Sequence, residues 1–297
     1  MPKTNARPLQ AQSQTDYVIS KDGTRIGYRR VGAGPGLVLV QGSMGTAQNF
    51  VELAGLLAPD FTVYLPDRRG RGLSPRAYSA DHTIQRDVED IEAVLAATGA
   101  DRVFGLSSGA LIALWAALSL EPIAKVAAFE PMLLLSASST VDDLARFDRE
   151  LQRGDLAAAA VTAMLAAQMA PPFVNRVPRS LLRLLTRFGF WIETKRGSAG
   201  YAPMTELVPA LQYDFADITQ ASSEIPELAA ISCDVLLLGG SKSPRLLNAG
   251  VDAVLTVLPG AQHIEIPEVG HGAAWNSDRG GKPGTVAPAL RNFFSQT

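Results

Sequence analysis

The 297-residue chain carries 27 Lys and Arg against 29 Asp and Glu, a formal net charge of −2, with 47% apolar and 19% charged residues. That balance suits one soluble α/β domain with an insertion and gives no electrostatic reason to expect nucleic acid or a membrane as partner. A single cysteine, Cys233, and three histidines without close spacing exclude a disulfide framework and carry no metal signature.

The N-terminal stretch MPKTNARPLQAQSQ is polar and reads as a flexible tail over 1–14. No run approaches the roughly 18 apolar residues of a membrane span, and the expected location is cytoplasmic. Residues 16–30 alternate around the turn Lys21-Asp22-Gly23-Thr24, which predicts a hairpin. Gly32, Gly34 and Gly36 follow, but they precede the apolar run Leu37–Val40. A dinucleotide site needs its glycines between a strand and a helix, so these read as a turn. Strands and helices then alternate: a strand over Phe61–Leu65, a helix over Thr83–Ala97, a strand over Arg102–Gly105, a helix over Gly109–Leu120 and a strand over Lys125–Phe129. This alternation predicts an α/β fold with a mainly parallel twisted sheet flanked by helices.

After Glu130 the alternation stops. Residues 135–230 are rich in Ala, Leu and Arg, broken at Pro171-Pro172, Pro178 and Gly197–Gly200, and read as an inserted helical cap. The strand pattern resumes at Val235–Leu238 and His263–Ile266, and a helix near Val286–Phe294 closes the chain. The expected organisation is a core of 15–134 and 231–297 carrying a cap of 135–230.

The most informative motif is Gly105-Leu106-Ser107-Ser108-Gly109, a G-x-S-x-G between a predicted strand and a predicted helix. That context places Ser107 at a sharp strand-to-helix turn, its hydroxyl presented above the carboxyl ends of the strands as a nucleophile. A serine needs a base, and the base needs an orienting acid, in the chain order Ser, acid, His. His271, in a loop after the last predicted strand, satisfies that order; His82 precedes the serine and His263 lies inside the strand. Two backbone amides should hold the oxyanion, one from Ser108 and one from the loop Gln41-Gly42-Ser43-Met44-Gly45, where Ser43 is the expected donor.

With the loop Asp67-Arg68-Arg69-Gly70-Arg71-Gly72 and the late Gly270-His271, these residues make the chain resemble the α/β-hydrolase superfamily over nearly its whole length beyond the tail. Many members begin the oxyanion loop with His-Gly, where this chain has Gln41. Most carry the triad acid after the penultimate strand, in a segment like Gly-x-x-Asp-Pro. Here that segment reads Gly239-Gly240-Ser241-Lys242-Ser243-Pro244, and a lysine cannot accept an imidazole N–H. A subset, zearalenone-type lactonases and some dehalogenases among them, places the acid one strand earlier. Glu130, between Phe129 and Pro131, resembles that arrangement; Asp252 and Glu268 are the weaker candidates. The resemblance implies a Ser107-Glu130-His271 triad that cleaves a small-molecule ester or lactone without metal or cofactor. The same triad also serves thioester hydrolysis, C–C hydrolysis or polyketide cyclisation, and the fold serves non-catalytic ligand binding. Haloalkane dehalogenation and epoxide hydrolysis are disfavoured, because those members carry aspartate where Ser107 stands.

The arginine-rich loop 67–72 reads as scaffold, with substrate-carboxylate binding by Arg69 or Arg71 as the alternative. Arg176, Arg179, Arg183 and Arg187 share one helical face opposite Leu181, Leu184, Leu185 and Phe188. That pattern predicts a cap helix with a solvated basic face or a homodimer contact rather than a membrane helix. Met164, Met169, Phe173, Trp191, Tyr201, Met204 and Tyr213 fit either an apolar pocket or the cap's own core.

Overall fold

The computed structural model describes residues 13–134, 140–167, 172–197 and 200–296. Most of the expected tail, the expected start of the cap at residue 135, Met169 and Pro171 therefore lie outside the described residues. Strand β1 (Gln14–Ile19) turns back into β2 (Arg25–Val31), with Ile19 opposite Arg25, so the predicted hairpin is present. The remaining strands are β3 (Gly36–Val40), β4 (Thr62–Pro66), β5 (Arg102–Leu106), β6 (Lys125–Phe129), β7 (Asp234–Gly240) and β8 (Gln262–Ile266). They form an eight-stranded sheet in the order β1-β2-β4-β3-β5-β6-β7-β8. β2 runs antiparallel to β4, and every neighbouring pair from β4 to β8 is parallel.

Side-chain alternation explains why the central strands read as unbroken apolar runs. In β3, Leu37 and Leu39 enter one core and Val38 and Val40 the other; in β5 and β6, Phe104 and Ala127 oppose Val103 and Val126. The first face is covered by α1 (Val51–Leu57) and by a helix near the C-terminus, Pro283–Ser295. The second is covered by α2 (Ile84–Thr98), α3 (Ser108–Ser119) and Arg245–Val257. α2 buries Ile84, Val88, Ile91 and Leu95 at helical spacing and ends where Gly99 adopts φ 67°.

Between β6 and β7 the described chain is helical: α4 (Thr140–Gln152), α5 (Leu156–Ala166), α6 (Arg179–Arg196) and α7 (Met204–Ser223). Phe147, Ala159, Ala163, Val208 and Leu211 give these helices a small core of their own. α6 differs from expectation. Its basic side faces solvent at Arg183 and Arg187 as expected, but Leu181, Leu184, Leu185, Phe188 and Trp191 on the apolar side are exposed too, Leu184 by 64%. The cause is the docking face: Arg179, Leu182, Thr186, Phe190, Ile192 and Glu193 are the half-covered positions, and Phe190 packs on the small core. Arg183 and Arg179 are drawn back toward the other helices by Asp155 (2.5 Å) and Asp143 (3.6 Å). No described helix is long and apolar enough to cross a membrane.

The remaining helices are α8 (Arg245–Val257) and α9 (Pro283–Ser295). The strand order reverses between β3 and β5, because the chain leaves β3 for β4 on one side and returns to β5 on the other. The carboxyl ends of these two strands flank the crevice where open α/β sheets place ligands.

Candidate active site

Ser107 follows β5 and caps α3 with φ 59° and ψ −121°, a backbone region costly for any residue with a Cβ. Local packing holds it there. A Cβ on Gly109 would lie 2.4 Å from the carbonyl oxygen of Val40, so the helix can approach β3 this closely only with glycine at that position. Four described non-glycine residues have positive φ: Met44, Ser107, Glu130 and Glu268. They sit in the loops after β3, β5, β6 and β8, which carry Ser43, Ser107, Glu130 and His271. Residues held in such backbone regions cluster at active sites and ligand clamps.

The strand ends are tied in register. Ser107 N–H donates to the Phe129 carbonyl at 2.9 Å, and Glu130 N–H donates to the Leu238 carbonyl at 2.9 Å. Ser107 and Glu130 therefore stand at the same level on adjacent strands. Glu130 is fully buried; its Oε1 accepts the Gly240 N–H at 2.6 Å and its Oε2 lies 2.7 Å from His271 Nδ1. The end of β7 thus supplies a backbone donor to the carboxylate arriving from β6. A carboxylate offers only acceptors, so in the neutral ring the tautomer with the proton on Nδ1 and the lone pair on Nε2 is the one this contact favours. The other acids do not reach the ring: Asp252 is exposed on α8, and Glu268 is exposed and pairs with Lys242 at 2.5 Å.

Ser107 keeps 8% exposure, and no described hydrogen bond joins its Oγ to His271. Such bonds commonly tighten only with substrate present. The loop after β3 lies alongside, since a Cβ on Gly42 would come within 2.9 Å of Ser107 Cβ. Ser43 Oγ and Ser108 Oγ are 3.1 Å apart, which brings together the two residues expected to donate amides. Gln41 is buried, and its side-chain amide has no partner among the described residues.

Sequence reasoning did not find the charge network beneath the elbow. Arg68 reaches Asp214 (2.6 Å), Asp217 (3.0 Å), Asp87 (3.3 Å) and Ser108 Oγ (3.1 Å), and Arg71 reaches Asp214 (2.9 Å). All of these side chains are buried. Arg69 pairs with Asp90 at 2.7 Å, so the loop after β4 is spent on structural ion pairs. His82, Asp87 and Asp217 are the described residues grouped closely enough to hold a metal ion. Arg68 already supplies the compensating cation there. Burial works against a charged His82 ring, but its hydrogen bonds to Asp217 (2.9 Å) and Asp87 outweigh that cost and push its pKa up to about 9. Asp214 is held well below the usual carboxylate range, because Arg71, Arg68 and the Ser108 hydroxyl overcome its burial. His263 is exposed on β8.

The model of the alpha/beta hydrolase family matches residues 37–282. The chain belongs to that family. An alpha/beta hydrolase from Sphaerobacter thermophilus DSM 20745 is similar at 31% identity and TM-score 0.76, over 94% of this chain and 100% of that one. The enol-lactonase from Burkholderia xenovorans LB400 shares this hydrolase's fold at 19% identity and TM-score 0.65, over 95% and 100% of the two chains. A thermophilic esterase from Thermogutta terrifontis does so at 19% identity and TM-score 0.65, over 95% and 98%.

Proposed function

We propose that this α/β-hydrolase is a serine hydrolase that cleaves a carboxylic ester or lactone through an acyl-enzyme. The observation that carries the reading is the 2.7 Å contact between buried Glu130 and His271 Nδ1, at the edge where Ser107 stands in a strained turn. Glu130 fixes the ring tautomer, so His271 Nε2 can take the Ser107 proton as Oγ attacks the carbonyl. The amides of Ser43 and Ser108 stabilise the oxyanion, aided by the N-terminus of α3. His271 returns the proton to the leaving alcohol, then activates the water that cleaves the acyl-enzyme. The helices between β6 and β7 act as the cap that shapes the pocket. The likeness to an esterase and an enol-lactonase supports this substrate class.

A panel of p-nitrophenyl esters, lactones, thioesters and β-diketones tests it, with Ser107→Ala as the blank. The expected result is turnover of esters or lactones that the substitution abolishes. Turnover confined to thioesters or β-diketones would move the activity elsewhere in the family. Ester turnover that survives Ser107→Ala would remove the nucleophile.

A further inference from the structure

Resting on that reading, we infer that Asp214, on inserted helix α7, is a positioning residue of the oxyanion hole. It acts through a chain of hydroxyls that runs under both amide donors. The direction of the chain follows from donor bookkeeping. Ser108 Oγ lies 2.7 Å from Asp214 Oδ1, and an ionised carboxylate only accepts, so the single Ser108 hydroxyl hydrogen points at Asp214. Ser108 then has only lone pairs left for its 3.1 Å contact with Ser43 Oγ, so Ser43 is the donor there. Arg68 Nη1 donates to both Ser108 Oγ (3.1 Å) and Asp214 Oδ1 (2.6 Å). The chain therefore runs Ser43 to Ser108 to Asp214, each bond polarising the next, and it ends on a carboxylate clamped by Arg68 and Arg71.

The two residues whose amides face the developing oxyanion are thus joined through their side chains and anchored to an element outside the core sheet. Ser43 and Ser108 are 65 positions apart in sequence, on loops from β3 and β5. Each loop could shift alone without this link, and an amide displaced by a fraction of an ångström loses its grip on a transition state. Lifting α7 would remove the acceptor at the end of the chain and leave Arg68 and Arg71 buried without Asp214. Seating of the inserted helix and assembly of the oxyanion hole are one event.

The test is a double-mutant cycle on ester hydrolysis with Ser108→Ala, Asp214→Asn and the pair, read as kcat, KM and affinity for a boronic acid that forms a tetrahedral serine adduct. Each single change should lower kcat about 10-fold or more, with KM changed less than about threefold, and should weaken the boronate in proportion to kcat/KM. The pair should lose no more than the larger single loss, because both cut the same chain. A role confined to holding α7 in place would leave the ratio of boronate to substrate affinity unchanged, and that result, or multiplicative losses in the pair, overturns the proposal. If Asp214→Asn does not fold, Ser43→Ala paired with Ser108→Ala decides by the same criterion, since neither removes a charge. A wild-type protein without ester turnover that Ser107→Ala abolishes defeats the hydrolase reading and this proposal together. Turnover with multiplicative losses in the pair, or with an unchanged boronate-to-substrate ratio, defeats this proposal alone.

Discussion

At the residue scale, the account turns on which nitrogen of His271 carries the proton. Glu130 Oε1 is occupied by the Gly240 N–H, so Oε2 is the atom free to hold Nδ1–H. Glu130→Gln keeps the shape and the bond to Gly240 but turns an amide N–H toward Nδ1. The ring is then driven to the tautomer whose Nε2 bears hydrogen and cannot accept from serine. We expect kcat/KM to fall about 10²- to 10⁴-fold with the folded circular-dichroism spectrum retained. Glu130 was singled out in the sequence through the resemblance to members that carry the acid one strand after the nucleophile. Asp214 and Arg68 were not, because their partner Ser108 is 106 positions from Asp214 and 40 from Arg68. The one trace was a pair of aspartates, Asp214 and Asp217, three apart on a helix that buries both.

At the element scale, burial separates helices and strands that look equally apolar on paper. Leu39 is inaccessible within β3, and Leu39→Ala should cost about 2–5 kcal/mol in denaturant unfolding. Leu184 projects from α6, and Leu184→Glu should stay within about 0.5 kcal/mol of wild type in the same measurement. β6 occupies the span read from sequence, and β5 differs by one residue, because strands covered on both faces leave continuous apolar runs. α1 went unread: seven residues with Phe50 as an unbonded cap give too little periodicity. Periodicity identifies two faces of α6 without saying which one docks, and no residue of either face is buried. α7 joins the core through His82, whose pKa rises from 6.5 to about 9 through Asp217 and Asp87. Below about pH 6.5 the ring is charged in both folded and unfolded chains, and the stabilisation linked to its raised pKa is present in full. From about 6.5 to 9 the unfolded chain releases a proton that the folded chain retains, so this stabilisation is lost as pH rises. Tm should decline over that window in the wild type, and His82→Gln should flatten the decline.

At the scale of the whole molecule, the sheet reversal between β3 and β5 gathers residues from four separate loops onto one edge. Backbone strain at Met44, Ser107, Glu130 and Glu268 collects on that same edge. The architecture was legible because the alternation of strand and helix, and its interruption after Glu130, are patterns of period and composition. The packing of the inserted helices was not, because it depends on buried charges that meet only after the chain has folded. The central claim is that the edge is one reacting unit of Ser107, Glu130 and His271. Its most direct test is the rate and position of covalent labelling by a fluorophosphonate, mapped by peptide mass. We predict a single adduct on Ser107, formed about 10²-fold or more slowly in Glu130→Gln and at the wild-type rate in Asp252→Asn. An adduct on another serine, or Glu130→Gln labelled as fast as wild type, would contradict it.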